Sequence, residues 1–158
     1  KGGLDYEITE INSDYAYKNL HLEIIPFEVD HYPVEPAYGY QIKVSDTEME
    51  KKVVISGDTR KNENLINHAM DADALVHEVF INLEFDENRM SKKTISNVRD
   101  YHTSPKEIGE IAKAANVKKL ILTHFVPPVF DEDFLTKEIR ESYKGNVIIG
   151  EDLLTIEI

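Results

Sequence analysis

No cysteine occurs among the 158 residues. Disulfides and thiolate ligands are therefore excluded, and a metal would have to be held by histidine, aspartate or glutamate. The sequence also lacks a run of about 18 apolar residues, the length that a membrane-spanning helix needs. Cationic charge is scarce: 18 Lys and Arg face 30 Asp and Glu, for a formal net charge of −12. Binding to phosphate backbones and anionic lipid is driven by Lys and Arg, so this balance opposes non-specific nucleic-acid or membrane partners. What is present suits a globular domain. Hydrophobic residues make up 41%, too many for disorder, and the length is enough for one core. A cytoplasmic location is the expectation.

The hydrophobic pattern divides the chain into short elements. Residues 1–20 are polar and turn-rich, a loop or weak strand. His21 to Val29 reads as a strand with Leu22, Ile24 and Phe27 in the core, and Pro26 marks an edge or bend. Tyr38 to Val44 is a second strand, Ser45 to Glu50 a charged turn, and Lys52 to Ser56 a short buried strand. Asn62 to Met70 reads as a helix with Leu65, Ile66 and Ala69 on one face. Ala74 to His77 is another buried strand, and residues 81–100 read as a long loop. Ser104, Pro105 and Glu107 form the signature of a capped helix start, followed by an Ile108, Ile111, Ala112, Ala115 stripe. Lys119 to Thr123 is a strand, and Asp133 to Tyr143 an amphipathic helix with Phe134 and Ile139 inward. Val147 to Ile149 and Leu153 to Ile158 are expected to close as a hairpin-like pair. Alternating strands and helices from 52 to 149 indicate an α/β layered fold.

This order has a topological consequence. In a β-α-β unit the helix starts at the edge where the preceding strand ends, and the next strand climbs back to that edge. The helix from Ser104 spans roughly 18 Å at 1.5 Å per residue. The strand ending at Thr123 spans roughly 20 Å at 3.3 Å per residue. His102 and His124 should therefore share one edge, joined by Asp58 and Glu78 at the ends of their own strands. Ligands collect at the carboxyl edge of such sheets. Two histidines and a carboxylate, His31, His124 and Asp58, suit a borderline divalent ion, zinc first, with manganese or iron(II) as alternatives. They are too few to close a site.

Each of these residues also has a plainer reading. A histidine after a strand can simply be hydrogen-bonded, Asp58 before Thr59 can be a turn or cap residue, and Glu78 can be a solvated strand-end charge. His102 can merely precede the helix cap. His77, opposite to Glu78 on its strand, reads as structural, and His21 and His68 as surface residues. Thr103 and Thr123 are candidates for supporting hydrogen bonds. Phe125 and Phe130, around Pro127-Pro128, read as packing.

The segments Val29-Asp30-His31, Tyr38-Gly39-Tyr40, Ser56-Gly57-Asp58-Thr59-Arg60, Val76-His77-Glu78, His102-Thr103-Ser104 and Leu120 to Phe125 occur in an order that resembles the C-terminal half of ribonuclease Z. It is similar also to the arylsulfatase-like relatives of that enzyme among the metallo-β-lactamase-fold hydrolases. The resemblance spans roughly residues 22–158. It implies an α-β/β-α sandwich, a mixed sheet with helices on its outer face, and a dinuclear zinc site. It implies His31 as a ligand of the first metal, Asp58 as the bridging carboxylate and His124 as a ligand of the second. His102 and Glu78 match loops that assist near the leaving group; His102 could donate a proton there, oriented by Glu78.

Two departures qualify the resemblance. The His-x-His-x-Asp-His motif is absent, so residues 1–158 are expected to be the C-terminal part of such a domain, with one apolar sheet face uncovered. Its partner would be the missing N-terminal half or a dimer mate. After His124 the tRNA-processing branch carries Ser-x-Arg-Tyr, whereas Val126-Pro127-Pro128-Val129 stand here. The leading expectation is thus a dinuclear-zinc hydrolase of small phosphate, sulfate or related esters, complete only with the other half and inactive alone. The alternatives are a ribonuclease Z-like tRNA 3′-processing endonuclease, with tRNA disfavoured by the acidic charge, and a non-catalytic remnant acting in binding.

Overall fold

The computed structural model describes residues 7–45, 49–81 and 91–158. Its strands are β1 (Tyr17–Lys18), β2 (Leu22–Glu28), β3 (Tyr38–Ser45), β4 (Glu50–Ile55), β5 (Ala74–Phe80), β6 (Lys119–Val126) and β7 (Asn146–Ile149). The helices are α1 (Glu63–Ala69), α2 (Lys92–Asp100), α3 (Pro105–Ala114) and α4 (Glu132–Arg140). All strands lie in one seven-stranded sheet whose spatial order is the chain order. β1 to β4 pair antiparallel, and β4 to β7 pair parallel. The fold is therefore α/β with a mixed sheet.

The sheet grows in one direction, and its parallel crossovers share one hand. Successive crossover helices must then land on the same face, and α1, α3 and α4 pack side by side there. Leu65, Ile108, Ile111, Leu135 and Ile139 bury completely against Val54, Leu75, Leu120 and Leu122. A Cβ on Gly109 would sit 2.5 Å from the Ile139 carbonyl oxygen, so glycine lets α3 and α4 approach closely. α3 has the expected start: Ser104 accepts from Glu107 N, and the Glu107 side chain accepts from Ser104 N.

Strand alternation sends the other row of side chains away from the helices. Tyr40, Ile55, Val76, Ile121 and Ile148 are register partners across five strands, and they make an apolar stripe. Ile55 in its middle is 36% exposed. No described helix covers this face. Part of it borders a cavity that Val76 and Ile121 share with Leu154 and Ile156.

Several sequence expectations need correction. The long loop at 81–100 contains α2, capped by the Ser91 hydroxyl accepting from Thr94 N at 3.2 Å. Its apolar face is only Ile95 and Val98, both half-buried, too sparse to stand out. Residues 1–6, 82–90 and part of the charged turn, 46–48, lie outside the described residues. β7 pairs parallel to β6 because α4 crosses between them, and residues 153–158 form no strand with it. In α4, Leu135 is buried and Phe134 is 38% exposed; capping by Asp131 sets the inward row at Leu135 and Ile139. His68 is not a surface residue. It is half-buried and stacks on Phe27 with ring centroids 4.1 Å apart.

Two predictions concern stability. Ser104→Ala removes a helix cap and should cost about 0.5–2 kcal/mol, read as a lower urea midpoint with an unchanged slope. The second concerns His77, which is fully buried. Its Nδ1 meets the Glu78 carbonyl at 2.6 Å, and its Nε2 has no hydrogen-bond partner among the described residues. Burial pushes its pKa below the ordinary value, and the charge and carbonyl of Glu78 offset this only in part. The folded state then refuses a proton that the unfolded chain accepts below about pH 6.5. Stability from this group is full above that pH and falls as pH drops through it. His68, pushed down by burial and by Lys52, acts in the same direction. Urea midpoints from about pH 7.5 to 5 should decline in the parent, and less steeply in His77→Leu.

Candidate metal centre

Gly57 turns the chain sharply at the end of β4. Its φ is +62°, and a Cβ there would lie 2.5 Å from the Tyr38 carbonyl oxygen. Only glycine meets both conditions, and the turn presents Asp58 at the carboxyl edge of the sheet. The loop after β2 brings His31 to the same edge, and the residues between α2 and α3 bring His102. One ligand-capable atom from each of His31, Asp58 and His102 lies within 4.8 Å of the others.

The imidazoles are held by their far nitrogens. His31 Nδ1 meets the Tyr101 carbonyl at 2.9 Å. A carbonyl only accepts, so Nδ1 carries the proton and Nε2 the lone pair. His102 Nδ1 lies 3.1 Å from Glu78 Oε2, which favours the same tautomer. Such anchors at the far nitrogen accompany metal-binding histidines. Glu78 is buried at 2% exposure, and its Oε1 accepts from Thr103 N at 2.8 Å. The Thr103 hydroxyl donates to the Thr59 carbonyl at 2.5 Å, tying the His102 loop to the Asp58 loop.

His124 reaches the centre by a different device. Glu78 pairs with Thr123 and Val79 with Phe125, so the register slips by one residue between β5 and β6. His124 is the unpaired residue at this bulge, with φ +46°. Bulges re-aim side chains beside functional sites, and this one brings His124 Nε2 to 3.2 Å from Asp58 Oδ2. The His124 ring centroid is 5.9 Å from that of His102.

All of the candidate residues thus gather at one edge, but in an order that differs from the expectation. His102 sits among the metal-competent groups with His31 and Asp58, whereas His124 contacts Asp58 from the outer side. The flanks differ in exposure: His102 and Glu78 side chains are 7% and 2% exposed, His124 and Asp58 53% and 40%. Two imidazole nitrogens and a carboxylate, with a further imidazole in reach, are chemically suited to a divalent ion of borderline softness. The set stops short of two complete coordination shells among the described residues. The Tyr101 carbonyl was missed because a main-chain acceptor leaves no mark in residue type. Thr123 is exposed, and Phe125 and Phe130 stack at 4.5 Å.

No family model matches the chain. Curated proteins do. Ribonuclease Z of Mycobacterium bovis (strain BCG / Pasteur 1173P2) is 30% identical over 155 residues, which is 96% of this chain and 53% of the relative. Ribonuclease Z of Mycobacterium tuberculosis (strain H37Rv) matches at 30% over the same share of this chain and 54% of its own length. Among solved structures, the metallo-β-lactamase fold protein YhfI of Bacillus subtilis superposes with a TM-score of 0.65 at 25% identity, over 89% of this chain and 52% of that one. Human tRNase Z, short form, gives 0.57 at 21% identity, over 90% and 45%. The chain spans about half the length of the curated relatives it matches. It is a homologue of ribonuclease Z and has the metallo-β-lactamase fold.

Proposed function

We propose that residues 1–158 supply the C-terminal part of a metal-dependent phosphodiesterase of the ribonuclease Z kind, with tRNA precursors as substrate class. One observation carries this reading: His31, Asp58 and His102 converge within 4.8 Å, with His124 on Asp58 at 3.2 Å. The curated relatives named ribonuclease Z support it over the small-ester hydrolase that the sequence first suggested. In this reading His31, Asp58 and His124 would hold the zinc ions, and the remaining ligands come from another part of the domain. The apolar sheet face is where that part packs.

Bound there, a pair of divalent ions would polarise the phosphoryl oxygen and make water acidic enough to attack near neutral pH. The protein groups supply orientation and a proton. His102 stands beside the ligands with its Nδ1 on Glu78, so its Nε2 is free to face the leaving oxygen. The buried Glu78 carboxylate holds the ring at Nδ1 and so orients the nitrogen from which a proton would be given.

A second reading keeps the same centre and changes the substrate. Val126-Pro127-Pro128 follow His124 where a phosphate-holding arginine is expected in the tRNA-processing branch, and the net charge is −12. Both features favour a small phosphate or sulfate ester. Cleavage of a tRNA precursor against turnover of bis(p-nitrophenyl) phosphate and an aryl sulfate decides between them. RNA cleavage is the expected outcome, and activity on the small esters alone would replace it.

The residue roles yield two further predictions for the protein that carries this chain. Asp58→Asn and His31→Ala should each lower bound zinc, measured by atomic emission after dialysis, and abolish turnover. His102→Ala should reduce turnover by about 10²–10⁴-fold with zinc content nearly unchanged. Loss of zinc in that variant would make His102 a ligand instead.

A further inference from the structure

Arg60 follows the Asp58 turn directly, yet its guanidinium is spent on the two other segments that carry site residues. Nη1 donates to Asp30 Oδ1 at 2.6 Å, and Nη2 donates to the Tyr32 carbonyl at 3.1 Å. Nε donates to the Asp100 carbonyl. Asp30 and Tyr32 flank His31. Asp100 adjoins Tyr101, whose carbonyl fixes His31 Nδ1, and lies two residues before His102. The main chain repeats the link, with Arg60 N donating to the Asp30 carbonyl at 2.8 Å. The planar fork reaches acceptors on both segments at once, which a lysine ammonium at the end of a flexible stem does not reproduce.

Building on the metal-centre reading, we propose that Arg60 is a positioning residue: it clamps the Asp30–Tyr32 loop to the end of α2 and so holds His31 in its ligating tautomer and place. The ion pair itself contributes little, because the Arg60 and Asp30 side chains are 31% and 51% exposed and such pairs are screened. The geometry of the fork is what matters. Metal sites keep ligand distances within about 0.2 Å of typical values, and loss of groups that orient a ligand typically costs about 10–100-fold in affinity.

Charge and position predict opposite signs here. A guanidinium near a bound cation repels it, so removing Arg60 would tighten metal binding if charge dominated. If position dominates, removal weakens binding. The test is Co²⁺ titration of the protein carrying this chain, followed by visible absorbance, for the parent, Arg60→Met, Arg60→Lys and Asp30→Asn. Arg60→Met should weaken Co²⁺ by about 10–100-fold, and Arg60→Lys should restore only part of this despite its charge. Asp30→Asn, which leaves Arg60 in place, should weaken it by a smaller factor. Tighter or unchanged binding in Arg60→Met, or full recovery in Arg60→Lys, would overturn the proposal.

A metal-free readout separates this inference from the reading it rests on. Long-range ¹H–¹⁵N spectra of His31 in the metal-free protein should show the Nδ1–H tautomer in the parent and a mixture in Arg60→Met. An unchanged tautomer would overturn the role of Arg60 whatever the metal does. A parent that binds no Co²⁺ would instead remove the metal-centre reading and leave the tautomer result to decide on the clamp.

Discussion

A carboxylate buried at the end of a central strand has to be satisfied by whatever comes near it, because desolvating a charge is costly unless hydrogen bonds replace the water. Glu78 is that group, 2% exposed at the carboxyl end of β5. Its oxygens meet Thr103 N at 2.8 Å and His102 Nδ1 at 3.1 Å, with Thr59 N at the outer limit of 3.5 Å. Its own amide donates to the Ser56 hydroxyl at 3.2 Å. Meeting these needs draws the start of α3 and the turn after β4 onto β5. The loops that bear Asp58 and His102 are thereby fixed relative to each other before any ion binds.

The centre that results has a buried inner flank and an open outer one. His102 and Glu78 belong to the inner flank, where Glu78 is held by main-chain donors and in turn holds His102 Nδ1. Asp58 and His124 belong to the outer flank and meet solvent. In the proposed reading, the open flank leaves room for substrate and for further ligands. The bulge at His124 serves the same division. It leaves His124 unpaired while pairing resumes at Val79 and Phe125, and so turns that side chain toward the edge.

Much of this was legible in the sequence, for identifiable reasons. The capping box at Ser104 and Glu107 is a local code read without tertiary context, and it marked the start of α3 correctly. The shared edge of His102 and His124 followed from matching helix and strand lengths. Their closeness did not, since it depends on a register slip that no residue type announces. α2 escaped notice because two half-buried apolar residues make no stripe. His68 was misplaced because its partner, Phe27, comes from a strand forty-one positions earlier, a stacking contact that only the folded chain creates. The Arg60 fork was hidden for a related reason: two of its three acceptors are main-chain carbonyls.

The sheet order carries a consequence for how the molecule assembles. Each strand is paired with the strands immediately before and after it in the chain, so each strand after the first finds one partner already made. The antiparallel neighbours β1 to β4 close over short connections, whereas each parallel pair from β4 to β7 must wait for its crossover helix, a slower step. On a ribosome, β4 can add to β3, and β5 to β4, in the order in which they emerge. The edge that bears His31, Asp58, Glu78 and His102 is then assembled stepwise from its antiparallel side, and His124 arrives last.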